Sequence, residues 1–176
     1  MKIERVWAMP NKWTFTIPPI AALLREEIES VEFWADPFAG QHSPAKSTND
    51  LNPKSPAKYH VDALTYLRLF KDNELDGVLF DPPYSFSQIK EVYENIGIPL
   101  TGDKTNMRFW SDCKNEIARI IKPGGKVICF GWSSMGLGKN RGFEMTRILL
   151  VAHGGSKNDT IITVERKNFK ERYTKE

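Results

Sequence analysis

The sequence has little cysteine, no long hydrophobic run and almost no net charge. Its two cysteines, Cys113 and Cys129, form no C-x-x-C pair, which excludes a disulfide framework and a structural zinc site. No apolar run approaches the roughly 18 residues of a membrane span, and the amino terminus lacks the apolar core of a signal peptide. We therefore expect a cytoplasmic protein in a reducing compartment, without a membrane segment.

The length of 176 residues and the 40% apolar content are typical of one globular domain. The sequence contains no internal repeat and no low-complexity tract, so we expect residues 1–176 to form a single domain. The net charge of +3 is unevenly placed, because residues 139–176 carry nine Lys and Arg against five Asp and Glu. This basic segment, with a tail over residues 166–176, either contacts phosphates or is a solvated tail, and charge alone favours the second.

Short apolar runs alternate with helical patterns along the chain. The predicted strands are residues 31–35, 46–49, 57–61, 75–80, 126–130, 148–152 and 160–164. The predicted helices follow Pro18-Pro19 and Asp62, run from Ser85 to about Tyr93, and run from Met107 to Ile121. The alternation predicts an α/β fold with a mostly parallel sheet, edged by a C-terminal antiparallel hairpin.

Three unusual segments each follow a predicted strand. They are residues 36–40, 50–53 and 81–84. Ligands of open parallel sheets bind beyond the carboxyl ends of the strands. These three segments are therefore the candidates for a binding site.

The segment Asp81-Pro-Pro-Tyr84 carries the most chemical information. Its two prolines have no backbone N–H and an ionised Asp81 is only an acceptor, so the segment is built to accept hydrogen bonds. The ring of Tyr84 offers a stacking surface for a base, which is worth about 1–3 kcal/mol. Acceptors beside a stacking ring favour an aromatic amine as substrate, such as the amino group of adenine or cytosine.

The same segment resembles the catalytic motif of the S-adenosylmethionine-dependent amino-methyltransferases, which methylate exocyclic nitrogens. Its Asp form resembles the N6-adenine DNA methyltransferases most, and Asp36-Pro-Phe-Ala-Gly40 resembles their cofactor motif D-P-F-x-G. Small phage or prophage enzymes without a separate target recognition domain have a similar organisation. The resemblance implies a Rossmann-like class I methyltransferase fold, S-adenosylmethionine as cofactor, and a catalytic set of Asp81, Pro82, Pro83 and Tyr84.

The resemblance also implies which residues hold the cofactor. They are Phe15, Thr16 and Ile17, then Asp36, Phe38 and Gly40, then Asp50, and finally Asp62 with Ala63. In the family, acidic residues at the positions of Asp50 and Asp62 accept hydrogen bonds from the ribose and the adenine of the cofactor. The residues themselves leave alternatives open, because Asp50 is also typical of an Asx turn and Asp62 is a suitable helix N-cap.

The substrate side is less clearly marked in the sequence. The resemblance implies that Tyr84 stacks on the target base, and Trp132 follows a predicted strand, where it could line the target pocket. Lys139 and Arg141 lie between glycines and are candidates for phosphate contacts, with an exposed basic loop as the alternative. The three histidines show no metal-ligand spacing, so we expect no metal.

The reaction that these residues lead us to expect is methyl transfer from S-adenosylmethionine to the N6 amino group of adenine in DNA. The alternatives are N4-cytosine methylation of DNA, amino-methylation of RNA, and a non-catalytic cofactor-binding partner subunit. Because the motifs occupy most of the chain, target recognition would require relaxed specificity, a homodimer or a partner subunit. The expected location is the cytoplasm of a bacterial or phage-infected cell.

Overall fold

In a computed structural model of the chain, the described residues are 1–83, 89–90, 94, 97, 107–155 and 158–169. Seven strands, three α-helices and two 3₁₀ turns have both ends within these residues. The strands are β1 (Lys2–Trp7), β2 (Trp34–Asp36), β3 (Ser47–Thr48), β4 (Leu75–Phe80), β5 (Ile121–Gly131), β6 (Phe143–Ala152) and β7 (Thr160–Lys167). The helices are α1 (Pro18–Glu27), α2 (Ala63–Leu67) and α3 (Met107–Ile120), and the 3₁₀ turns are Thr14–Thr16 and Lys139–Arg141.

The strands form one sheet in the order β1-β6-β7-β5-β4-β2-β3. Strand β7 is antiparallel to both of its neighbours, β5 and β6, and every other pair of neighbouring strands is parallel. The predicted α/β fold with a mostly parallel sheet and a C-terminal antiparallel hairpin is therefore confirmed. The expected position of the hairpin at the edge is wrong, because β1 pairs with β6 and places the hairpin inside the sheet.

Strand β1, at the edge of the sheet, is absent from the sequence prediction. Its less exposed residues are Glu4 and Val6, so a charge interrupts the apolar alternation by which such a strand is recognised. Glu4 accepts a hydrogen bond of 2.7 Å from Nε of the buried Arg147, and Nη1 of the same arginine donates to Glu26 at 2.6 Å. An ion-pair cluster thus occupies the inward position of β1 at which an alternating strand pattern would have an apolar residue.

The boundaries of several elements differ from the prediction. Strand β2 begins at Trp34, because Val31 is 81% exposed and lies before the sheet. Strand β5 begins directly after α3, and Pro123-Gly-Gly125 forms an irregularity within it, where the pairing with β4 shifts register. The strand predicted over residues 57–61 is reduced to a single bridge between Asn49 and Tyr59. The predicted helix over residues 85–93 and loop over 97–106 lie almost entirely outside the described residues.

Helices cover both faces of the sheet and leave one end of its strands for the site. Helix α1 packs on one face through Ile20, Leu23 and Leu24. Helices α2 and α3 pack on the other face, where Leu67 and Ile117 are completely buried. Because β2, β3, β4 and β5 all run parallel, their carboxyl ends meet at one edge of the sheet, as the sequence analysis of the strand ends requires.

Candidate active site

The two central motifs lie on neighbouring strands. Asp36 is the last residue of β2, Asp81 directly follows β4, and these strands are paired in parallel, with Ala35 opposite Val78. The carboxyl groups are close enough that the charge of Asp81 raises the pKa of Asp36. The structure therefore brings the predicted cofactor motif and the predicted catalytic motif together at the carboxyl edge of the sheet.

The carboxyl group of Asp36 is completely buried beneath its own loop. One oxygen accepts from the backbone N–H of Phe38 at 2.9 Å, and the other accepts from the Ser43 hydroxyl at 2.6 Å. Desolvation raises the pKa of Asp36 to about 7 in spite of these hydrogen bonds, and the charges of Asp81 and Asp50 act in the same direction as desolvation. Asp36 thus holds the loop through its hydrogen bonds, and its pKa depends on the charge of Asp81 in the predicted catalytic motif.

The loop after Asp36 turns back on Asp50 through a glycine. Gly40 has a φ of +55°, a left-handed conformation that favours glycine, and its N–H donates to Asp50 at 2.9 Å. A Cβ at Gly40 would meet no atom within 4 Å, so the backbone here borders open space that a ligand can approach closely. The second oxygen of Asp50 accepts from the N–H of Asn52 at 2.8 Å. Asp50 therefore forms the predicted Asx turn and also accepts from the loop after Asp36.

Asn49 is the residue of this region that the sequence analysis missed. It is 1% exposed, and its side-chain amide donates to the carbonyls of Pro37 and Val61, at 3.1 and 2.9 Å. Its side-chain carbonyl accepts from the N–H of Val61 at 3.1 Å. The three bonds connect the loop after β2, the end of β3 and the segment before α2. An asparagine preceding the predicted acidic residue at a strand end is the only sequence signal for this role.

Replacing Asn49 with alanine should destabilise the fold by about 2–3 kcal/mol, because it leaves the carbonyls of Pro37 and Val61 without their partner. Urea denaturation of the wild type and the variant measures this difference. Asn52→Ala is the matched control, since the Asn52 side chain accepts only one exposed backbone bond, from Lys54. Equal stability of the Asn49 variant and the wild type would contradict the role assigned to the asparagine.

Asp62 is the N-cap of helix α2 and Ala63 is its first residue, and both make structural contacts within the chain. Both oxygens of Asp62 accept from Thr65, one from its N–H at 3.0 Å and one from its hydroxyl at 2.6 Å. Ala63 is buried in the core between the sheet and α2. The N-cap alternative for Asp62 is therefore realised, and a contact of either residue with the cofactor adenine stays a prediction.

The carboxyl group of Asp81 lies near the segment before α1. The residue is half-buried, as are Pro82 and Pro83. Desolvation is the dominant influence and raises the pKa of Asp81 to about 7, while the nearby Thr14 side chain acts in the opposite direction. Tyr84 lies outside the described residues, so its stacking role stays a prediction.

The predicted segment of Phe15, Thr16 and Ile17 is anchored beside β5. The ring of Phe15 packs against Phe130, with 5.1 Å between ring centroids, and Ile17 is 3% exposed in the core. The exposed Thr16 donates its hydroxyl to the carbonyl of Trp13 at 2.9 Å. Trp13 contacts the ring of His42 at 5.3 Å, and this contact joins the segment to the loop after Gly40.

Phe38, the third residue of the predicted cofactor motif, packs against two aromatic rings. Its ring contacts Phe80 at a centroid distance of 5.8 Å and Trp110 at 5.9 Å. Phe38 thus links the loop after Asp36 to the end of β4 and to helix α3, and a direct contact with cofactor stays a prediction.

The predicted substrate residues fall at two ends of the sheet. Trp132 directly follows β5 at the carboxyl edge and is 47% exposed. Lys139 and Arg141 instead lie just before β6, which is parallel to β4 and β5, and hence near the amino ends of these strands. The Arg141 guanidinium donates to Asn115 at 2.8 Å and to Ser111 at 3.1 Å. The structure does not bring Lys139 and Arg141 to Asp81, and phosphate contacts by them stay predictions.

Comparison with known proteins identifies the fold. No protein-family model and no curated protein matches the chain. TrmN from Thermus thermophilus is similar in structure, with 20% identity, a TM-score of 0.57, and coverage of 86% of this chain and 49% of TrmN. A 1,6-didemethyltoxoflavin-N1-methyltransferase from Burkholderia thailandensis, solved with bound S-adenosylhomocysteine, has 12% identity, a TM-score of 0.58, and coverage of 86% and 77%. A SAM-dependent methyltransferase from Methanosarcina mazei has 11% identity, a TM-score of 0.56, and coverage of 84% and 98%.

These similarities show that the chain has a Rossmann-like methyltransferase fold, as the sequence predicted. The chain spans about half the length of TrmN and nearly the full length of the Methanosarcina mazei protein. In the part of the chain that the structure describes, no helix is both long and apolar enough to cross a membrane.

Proposed function

We propose that the chain transfers a methyl group from S-adenosylmethionine to an exocyclic amino group of a nucleobase, with the N6 of adenine in DNA as the specific target. The observation that carries this proposal is the placement of Asp81-Pro82-Pro83 beside the loop of Asp36 and Gly40, on neighbouring parallel strands. An acceptor-only segment thus faces the edge where this class of fold binds ligands.

The residues present fit the proposed cofactor. The backbone at Gly40 borders open space, and Asp50 lies against it with a carboxylate that can accept ribose hydroxyls. The SAM-dependent relatives in structure support the same assignment. When bound, S-adenosylmethionine supplies an electrophilic methyl group attached to a sulfonium. The segment of Phe15 to Ile17 would border the same site, since Phe15 packs on Phe130 of the neighbouring strand β5.

The target amine would be held by acceptors alone. The Asp81 carboxylate and the carbonyl of Pro82 accept from the two N–H bonds of the amino group, because neither proline offers a competing donor. This arrangement directs the nitrogen lone pair toward the methyl donor, and most of the rate gain comes from alignment and placed acceptors. The base must leave its stack, at a cost of a few kcal/mol, and Tyr84 would then stack on it.

The test is to incubate the purified chain with methyl-labelled S-adenosylmethionine and with unmethylated DNA or RNA, followed by nucleoside mass spectrometry. We expect labelled N6-methyldeoxyadenosine. Detection of N4-methyldeoxycytidine or of a methylated ribonucleoside would support the proposed methyl transfer but show that the substrate is not adenine in DNA. Cofactor binding by calorimetry without any methylated nucleoside would instead support a non-catalytic subunit, and absence of cofactor binding would overturn the proposal.

A further inference from the structure

Strand β1 and the residues that follow it carry a group of exposed apolar side chains. Ile3, Trp7 and Met9 are each 66% exposed, and β6 is the only neighbour of β1 among the described strands. Arg5 is also exposed and lies on the same face as Ile3 and Trp7, because side chains alternate along a strand. Within the part of the chain that the structure describes, the Arg5 guanidinium has no ion pair. This edge of the sheet thus combines uncovered apolar side chains with a cation that has no acidic partner.

The backbone of β1 also directs polar groups away from the sheet. Ala8, just after β1, donates its N–H to the carbonyl of Ala152 at 3.1 Å, so the even-numbered residues direct their backbone groups toward β6. The N–H and C=O groups of Ile3, Arg5 and Trp7 therefore point to the open side of the edge. A row of such groups is a template for pairing with another strand.

We propose that β1 pairs antiparallel with β1 of a second copy of this chain, and that the two sheets join across a twofold axis. An axis perpendicular to the sheet keeps each face continuous, so odd-numbered residues lie opposite odd-numbered residues. With Val6 on the axis, Arg5 of each copy lies opposite Trp7 of the other, and Ile3 lies opposite Met9. Each guanidinium then has an indole ring as its partner, in a cation–π contact.

Charge complementarity selects this register and identifies the second copy as the partner. An axis at Arg5 would place the two arginines directly opposite each other, and an axis at Glu4 would do the same with two glutamates. Like charges in directly opposite positions destabilise a sheet. The register with its axis at Val6 has no such pair, because Glu4 then lies opposite Ala8. The second copy therefore supplies a ring for each unpaired arginine and an apolar side chain for each Ile3.

The association goes beyond the proposed function and leaves the candidate active site outside the interface. Strands β6, β7 and β5 lie between β1 and β4, and the loop after β2 is farther still from β1. Dimer formation and methyl transfer can therefore be measured independently, and the failure of one does not imply the failure of the other.

Sedimentation velocity of the purified chain over a concentration series tests the proposal. We expect a monomer–dimer equilibrium for the wild type and only monomer for Arg5→Pro. Proline removes an N–H that points to the open side and spares the hydrogen bonds with β6, so circular dichroism should show an unchanged fold. Leu69→Ala is the matched control, because it removes an apolar side chain that is 57% exposed outside the sheet. Its dimerisation should equal that of the wild type.

Trp7→Ala tests the same interface without any change to the backbone. The substitution removes both contacts between Arg5 and Trp7 from the dimer, so we expect the dissociation constant to rise about tenfold. A wild type that stays monomeric throughout the concentration series would overturn the proposal. So would a wild-type dimer that Arg5→Pro and Trp7→Ala leave as strong as Leu69→Ala does, because the interface would then lie elsewhere on the chain.

Discussion

Replacing Asp81 with alanine should lower the rate of methyl transfer at least about 100-fold, a loss typical of removing one placed polar group from an active site. The reason is local, because alanine removes the charged acceptor while both prolines and the end of β4 stay in place. Cofactor affinity should stay close to that of the wild type, since the carboxyl groups beside Gly40 belong to Asp36 and Asp50. Single-turnover rates and calorimetric affinities measure the two effects separately.

Two further variants sharpen this test. Asp72→Ala removes an exposed carboxylate that pairs with Arg119 at the far end of β4, so it should leave the rate of transfer unchanged. Asp81→Asn keeps one acceptor oxygen and removes the titration, so it should retain more activity than alanine and lose the pH dependence near 7. If Asp81→Ala transfers methyl groups as fast as Asp72→Ala, the proposed chemistry is wrong.

The parts of the site that could be predicted are short sequence motifs that directly follow a recognisable strand. Asp36-Pro-Phe-Ala-Gly40 and Asp81-Pro-Pro-Tyr84 each follow an apolar strand, so their motifs and their strand ends are visible together. Their location at one edge also follows from the sequence, since parallel strands of one sheet end at the same edge. The direct pairing of β2 with β4, which makes them neighbours, is seen only in the structure. The N-cap at Asp62 and the Asx turn at Asp50 are local as well, and both predicted alternatives occur.

The remainder depends on contacts between segments that are distant in sequence. Asn49 joins the loop after β2, the end of β3 and the segment before α2, and this role has no periodic signal in the sequence. Lys139 and Arg141 looked like candidates for the substrate side because they lie between glycines. Their position is decided by the direction of β6, which the composition of a loop does not encode. Strand β1 was not predicted for a related reason, because the partner of Glu4 is Arg147, which is 143 residues away in sequence.

Asp36 leads to a prediction about stability, because its pKa differs between the folded and unfolded chain. Burial raises the pKa from 3.8 to about 7, so between these values the folded chain keeps a proton that the unfolded chain releases. The contribution of Asp36 to stability is therefore largest below about pH 4 and falls as the pH rises to 7. A pKa difference of this size corresponds to as much as about 4 kcal/mol. Asp81, whose pKa is also raised, acts in the same direction.

Asp36→Asn should accordingly be more stable than the wild type at pH 8, by about 2–4 kcal/mol, and should differ little from it below pH 4. Asparagine keeps an acceptor for the N–H of Phe38, and its amide can donate to the Ser43 hydroxyl, so the loop is preserved.

Urea unfolding at intervals from pH 5 to pH 8 measures how steeply the free energy of unfolding changes with pH. This window avoids the acid range in which Asp76 and Glu4, with lowered pKa values, contribute the opposite slope. Because Asp81 still titrates, the variant should keep part of the wild-type slope, and Asp72→Asn should keep all of it. Parallel stability curves for Asp36→Asn and the wild type would mean that Asp36 is already ionised in the folded chain at pH 5.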